Sequence, residues 1–225
     1  KDYIKKCGQS GEMKSRLVAL VCDSSNGRSY FKTSEKESRA INQIKASWKP
    51  SGDIPNKLTG GTCAVYGLNT FGSLFTERQL VAIDSFCNLV SEVNKKILID
   101  LKSYAKSYDG SYAESVSIYL TFAVGRLCDL SSSLASWIPK LEAIRGTFGR
   151  QAIPMVWDYC ECNPVEDKWS GQLGWVVKCI NNFSPTRIKS LVSQENATKR
   201  NYSDNFIIST DPPYYDNISY ADLSD

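Results

Sequence analysis

The segment from Phe75 to Leu101 restricts the fold more than any other part of the chain. Thr76-Glu-Arg-Gln79 has the form of a capping box, and Phe75 and Leu80 are placed as a hydrophobic staple around it. From there Leu80, Ile83, Cys87, Val90, Val93, Ile97 and Leu101 recur at three- and four-residue intervals. This spacing predicts one apolar stripe on a helix of about 25–30 residues. Ser111-Tyr-Ala-Glu114 repeats the capping pattern ahead of a second stripe of Val116, Leu120, Ala123, Leu127, Leu130 and Leu134. Two such helices are expected to pair antiparallel, with both stripes in the core and no ligand along them.

Around this pair the chain divides into three regions. Residues 1–66 read as a small mixed α/β module. Arg16–Cys22 and Arg28–Phe31 alternate like a hairpin about Ser24-Ser-Asn-Gly27, and a helix is expected over residues 34–46. The run Trp48-Lys-Pro50-Ser-Gly-Asp-Ile-Pro55 has the proline and glycine content of a connector. Residues 67–184 form the helical region, ending in a shorter helix at residues 170–183. Residues 185–225 contain two expected strands, Ile188–Val192 and residues 205–210. The 42% hydrophobic content over 225 residues suffices for one or two cores. No apolar run approaches the roughly 20 residues of a membrane span, and no signal peptide opens the chain, so the expectation is a cytoplasmic protein without a membrane partner.

The tail carries the chemistry. After Asn205-Phe-Ile-Ile-Ser-Thr comes Asp211-Pro212-Pro213-Tyr214. An exocyclic amine on a planar ring is a poor nucleophile because its lone pair is delocalised into the ring. A carboxylate and a fixed backbone carbonyl that accept both amine hydrogens return the lone pair to nitrogen. Consecutive prolines are stiff and lack N–H donors, so the Pro212 carbonyl is held in place. An aromatic ring next to them can stack an unpaired base for roughly 1–3 kcal/mol. The bland reading of the same residues is a Pro-Pro turn after an edge strand, with Tyr214 packing.

The extension Tyr215-Asp-Asn217-Ile-Ser-Tyr220-Ala-Asp222-Leu-Ser-Asp225 resembles the adenine-specific DNA methylases that carry a zinc-ribbon insertion, a family often found beside anti-phage genes. Three other segments are similar to it. They are Gly11-Glu-Met13-x-x-Arg16-Leu-Val-Ala; Val65-Tyr66-Gly67 with Leu74-Phe-Thr-Glu-Arg78-Gln79-Leu80; and Thr147-Phe-Gly-Arg150-Gln151-Ala-Ile-Pro154-Met-Val-Trp157-Asp158. The resemblance implies an α+β protein, a mainly helical insertion with a small N-terminal mixed module and the edge of a Rossmann-like methyltransferase sheet at its C-terminal end. It implies S-adenosylmethionine as methyl donor and DNA as partner, with Asp211, Pro212, Pro213 and Tyr214 as the catalytic segment and Tyr215, Asn217 and Tyr220 shaping the pocket. Asp216 supports that pocket, and Asp222 can equally cap a following helix.

The family's glycine-rich cofactor loop and its zinc ribbon have no counterpart. Cys7-Gly-Gln-Ser-Gly11 follows no hydrophobic strand. The eight cysteines form no C-x-x-C pair and the chain has no histidine, so no metal site is expected. The chain therefore reads as an interior fragment, inactive alone, whose partners include the missing N- and C-terminal parts of the same methyltransferase and defence-system proteins. The competing reading is a non-catalytic helical nucleic-acid-binding or scaffolding module of a defence complex. An RNA or a glutamine amide is an alternative substrate for the same tetrapeptide.

A net charge of +3 permits nucleic acid without requiring it. Basic residues gather at Lys1, Lys5, Lys6, Lys14 and Arg16, and again at Lys178, Arg187, Lys189, Lys199 and Arg200. Arg145, Arg150 and Gln151 are candidate DNA contacts, because Arg and Gln read guanine and adenine edges. The alternative for Arg150 is an internal pair with Asp158 or Glu161. Four N-x-Ser/Thr triplets, at Asn182, Asn196, Asn201 and Asn217, with an even cysteine count, also fit a secreted glycoprotein. The scatter of the cysteines through apolar helical positions favours reduced core thiols.

Overall fold

The computed structural model describes residues 1–55, 62–104, 110–149, 152–184, 191–196, 198–201 and 207–212. Over these residues the protein is α+β and mainly helical, with two small antiparallel hairpins.

Helix α1 (Asp2–Gln9) precedes a hairpin of β1 (Ala19–Ser24) and β2 (Gly27–Lys32). Gly27 takes φ +101°, which the tight turn needs and an L side chain resists, and Ser24 Oγ donates to its carbonyl at 2.7 Å. Helix α2 (Glu35–Asn42) starts on the Ser34/Glu37 capping box, with Ser34 N–H donating to Glu37 Oε2 at 2.7 Å. It stops four residues short of the expected end. The Ala46 N–H, which a continuing helix would direct at the residue 42 carbonyl, donates instead to Glu77 Oε2 at 2.7 Å. The Ile41 carbonyl is taken by Arg78 Nη1 at 3.0 Å.

The one-turn helix α3 (Thr62–Val65) leads through Tyr66 and Gly67 to a 3-10 turn at Phe71–Leu74. The C-terminal end of α1 lies directly on this turn. A Cβ built at Gly8 would fall 2.4 Å from the Tyr66 carbonyl oxygen, and one at Gly67, where φ is +86°, 2.1 Å from the Gly8 oxygen. Glycine at both positions lets two backbones touch.

Helix α4 (Glu77–Tyr104) is the predicted long helix, and its capping box is formed as predicted. Gln79 N–H donates to Thr76 Oγ1 at 3.2 Å, and Thr76 N–H to Gln79 Oε1 at 2.9 Å. Helix α5 (Ser111–Leu130) returns antiparallel: Gly110 lies against Leu98 and Asn94 Nδ2 donates to Ser117 Oγ at 2.9 Å. Its start corrects the expectation, since Gly110 at φ +80° is the N-cap and Ser111 is already helical. The α4 stripe is also less buried than its periodicity implies. Leu80 and Ile83 are buried, but Cys87 and Val93 are exposed. Pairing with α5 covers only one side of the stripe beyond its second turn.

Two three-residue strands, β3 (Ser136–Ile138) and β4 (Ala143–Arg145), form the second hairpin. Trp137 meets the first hairpin there, with Tyr30 edge-on at 6.5 Å and the Arg28 guanidinium over its ring at 5.7 Å. Helix α6 (Trp169–Asn181) follows a kinked turn at Pro164–Lys168 and leans on α5, and Trp169 stacks on Phe86 of α4 at 4.6 Å. The principal core joins Ile54, Cys63, Leu74, Leu134 and Ile153, with Phe71, Phe75 and Met155 against it. It thus draws on residues from both sides of position 66. Of the expected strand at Ile188–Val192, residues 191 and 192 are irregular and the rest lies outside the described residues; residues 207–210 are likewise irregular.

Candidate functional site

Asp211 and Pro212 lie at the end of a short exposed stretch. Ile207 is 98% exposed and Ile208 63%, so the apolar pair leading to the tetrapeptide is largely uncovered by the described residues. The Asp211 carboxylate makes no ion pair with any described residue. Pro213, Tyr214, Tyr215, Asn217 and Tyr220 lie outside the described residues, as do Arg150 and Gln151. The geometry of the candidate catalytic segment is therefore carried by its sequence alone.

The flanks of Arg150 and Gln151 are well anchored. On one side Thr147 N–H donates to the Asp129 carbonyl at 2.8 Å, and Phe148 N–H to the Asp129 carboxylate at 2.9 Å. Gly146 makes room for that carboxylate, since a Cβ there would sit 2.1 Å from Asp129 Oδ2. The buried Ser132 and Thr147 hydroxyls share a hydrogen bond of 2.6 Å beneath this turn. On the other side Ile153 is buried in the core and its carbonyl accepts from Cys63 Sγ at 3.5 Å. Trp157 then meets Tyr66 edge-on at 4.7 Å. The described residues of 65–67, 74–80 and 147–158 thus come together around one core, whereas Arg145 is exposed at the end of β4.

Glu161, one of the two alternative partners of Arg150, has a partner among the described residues. Arg78 holds it in a two-pronged ion pair, Nε to Oε1 at 2.6 Å and Nη2 to Oε2 at 2.7 Å, and Thr76 Oγ1 adds a third hydrogen bond at 3.2 Å. The Glu161 carboxylate raises the Arg78 pKa further above its ordinary value. Through the Ile41 carbonyl this knot ties the end of α2, the start of α4 and the segment after Trp157. Gln79 is buried beside it, and its Nε2 has no partner among the described residues.

Of the two basic clusters, Lys178, Lys199 and Arg200 are exposed, while Arg187 and Lys189 lie outside the described residues. Arg16 lines a polar depression at the start of α2 with Thr33, Ser34 and Arg39, although Arg39 is paired with Glu35 at 2.7 Å. The eight cysteines are free thiols, and the described residues contain no group of three potential metal ligands. Burial pushes the Cys128 thiol up to about 11, with Cys87 adding to the effect.

One surface escaped the sequence reading. Between α5 and α6 lies an open cavity of about 620 Å³, lined by Phe122, Gly125, Arg126, Asp129, Leu130 and Gln172. Phe122 is 57% exposed and Trp175, one turn beyond Gln172 on α6, 55%. Lys178 Nζ lies 4.8 Å and Arg126 Cζ 5.9 Å from the Trp175 ring centroid. Phe122 on a helix face that also holds Gly125 and Arg126 was the available signal.

No helix among the described residues is long and apolar enough to cross a membrane. Comparison of the chain with family models, curated proteins and solved structures finds no match.

Proposed function

We propose that this chain supplies the acceptor-holding part of an adenine-N6 DNA methyltransferase. The single observation behind the reading is the order Asp211-Pro212-Pro213-Tyr214 at the end of a short apolar run. In this account the Asp211 carboxylate and the Pro212 carbonyl accept the two N6 hydrogens, which concentrates the lone pair on nitrogen. Pro213 fixes the carbonyl, and Tyr214 stacks the extruded adenine. Tyr215, Asn217 and Tyr220 shape the pocket, and Arg150 and Gln151 contact DNA. The resemblance to zinc-ribbon adenine methylases, with their link to anti-phage systems, supports the same assignment.

The described residues do not fit the methyl donor S-adenosylmethionine. Such a cofactor is cradled where a parallel strand passes through a glycine-rich turn into a helix. The sheets described here are two antiparallel hairpins, and Gly8 and Gly67 are consumed by backbone contact with each other. In this account the cradle and the flanking strands of a Rossmann-like sheet lie outside the described residues.

The absence of a cradle among the described residues also favours a second reading, a nucleic-acid-binding or scaffolding module without catalysis. Asp211→Ala and Asp211→Asn separate the two. Methyl transfer by the natural protein carrying this segment should fall by 100-fold or more in both variants, roughly the loss seen on removing one preorganised polar contact. DNA binding should persist. Transfer that is unaffected by both substitutions would remove the catalytic reading.

A further inference from the structure

The cavity between α5 and α6 is not used by the tetrapeptide chemistry, yet three independent features there suit one kind of occupant. The first is charge. Lys178 is the sole charged residue within Trp169–Asn181, and neither it nor Arg126 makes an ion pair with a described residue. The Asp129 carboxylate nearby is turned to the Gly146–Phe148 backbone, where it accepts the Phe148 N–H. The second is aromatic surface, since Phe122 and Trp175 are both more than half exposed on neighbouring helices. The third is open backbone. Gly125 lines the cavity, and a Cβ built there, or at Gly171 or Gly174 on α6, meets no atom within 4 Å. Glycine inside a helix costs stability relative to alanine, and no packing among the described residues requires it at these three places.

The geometry points to a binding surface for a single-stranded or locally unpaired nucleic acid, with bases laid against Phe122 and Trp175 and phosphates met by Arg126 and Lys178. Stacking on exposed rings combined with unpaired cations is how such strands are held without sequence preference. Gln172, whose Oε1 accepts from Arg126 Nε at 3.0 Å, adds an amide edge to the same wall. An acidic peptide would use the cations but has no need of the rings. The inference rests on the reading that the chain works on nucleic acid.

Fluorescence anisotropy with a labelled twelve-nucleotide single strand, in DNA and RNA forms, and with the matching duplex tests it on the whole protein. The single strand should bind more tightly than the duplex. Phe122→Ala should weaken binding roughly 5- to 150-fold, the range of one lost stacking partner. Joint Arg126→Gln and Lys178→Gln should flatten the dependence of log affinity on log salt by about 1–1.5. Gly125→Leu should fill the cavity and weaken binding while circular dichroism stays unchanged. A preference for the RNA strand, with the same variants impaired, supports the surface and moves the substrate from DNA to RNA. Equal affinity for all four proteins, tighter binding of duplex, or binding of an acidic peptide in place of the oligonucleotide would overturn it. Asp211→Ala is carried alongside. If it abolishes methyl transfer while the cavity variants bind normally, the inference fails and the enzyme reading stands; the reverse pattern spares the inference alone.

Discussion

Replacing Glu161 should loosen the protein measurably, and the amount follows from its surroundings. Its carboxylate receives two hydrogen bonds from Arg78 and one from Thr76, at 2.6, 2.7 and 3.2 Å. The Arg78 and Glu161 side chains are 21% and 25% exposed. A fully exposed ion pair contributes about 0–1 kcal/mol, and one hydrogen bond to a charged group in a buried setting about 1.5–3 kcal/mol. With most of the pair screened from water, Glu161→Ala should cost about 2–3 kcal/mol. For a chain of this size that lowers Tm by roughly 5–10 °C. A double-mutant cycle with Arg78→Met, read by urea unfolding, should give a coupling of about 1.5–2.5 kcal/mol. Because the pair is short and largely covered, raising the salt to about 0.5 M should remove little of it. A coupling below about 0.5 kcal/mol would refute the reasoning and class the pair with ordinary surface contacts.

Gly67→Ala should destabilise the protein by more than about 2 kcal/mol, since it combines φ +86° with a clash against the Gly8 carbonyl; thermal melts check this. Leu127→Ala, at a position with no exposed surface, should cost about 2–5 kcal/mol in urea unfolding. Lys49 at 2.7 Å, followed by the Ala46 N–H, holds the Glu77 carboxyl below its usual range. A carboxyl depressed in the folded state stabilises above the unfolded value and loses that contribution as pH falls, so acid titration from about pH 5 downward should destabilise the parent more steeply than Glu77→Gln. Cys128, raised to about 11, should resist iodoacetamide at pH 8 while the exposed Cys22 and Cys179 react, as peptide mass mapping would show.

The parts of the fold written in local signals were legible. The Thr76/Gln79 box, the Ser24–Gly27 turn and the α6 span each depend on residues within one or two turns of each other, and each formed where the sequence placed it. What was not legible depends on distant partners. Helix α2 ends early because Ala46 and Ile41 bond to Glu77 and Arg78, more than 30 residues away, and no periodicity reports that. The strands Ser136–Ile138 and Ala143–Arg145 are too short to show alternation. The exposure of Cys87 and Val93 on the α4 stripe shows that periodicity states which face is apolar, but not whether anything covers it. The candidate site divides in the same way. Asp211 and the residues after it are read from chemistry alone, whereas the α5–α6 cavity needed two helices in place before Arg126 met Gln172 and Trp175.

The most direct test of the central claim is nucleoside mass spectrometry of DNA after incubation with S-adenosylmethionine carrying a labelled methyl group and the longest natural chain containing this sequence, parent beside Asp211→Ala. The account predicts labelled N6-methyladenine with the parent and none above background with the variant. Label on another base, label that does not depend on Asp211, or no label on any DNA offered while both proteins remain folded would contradict it.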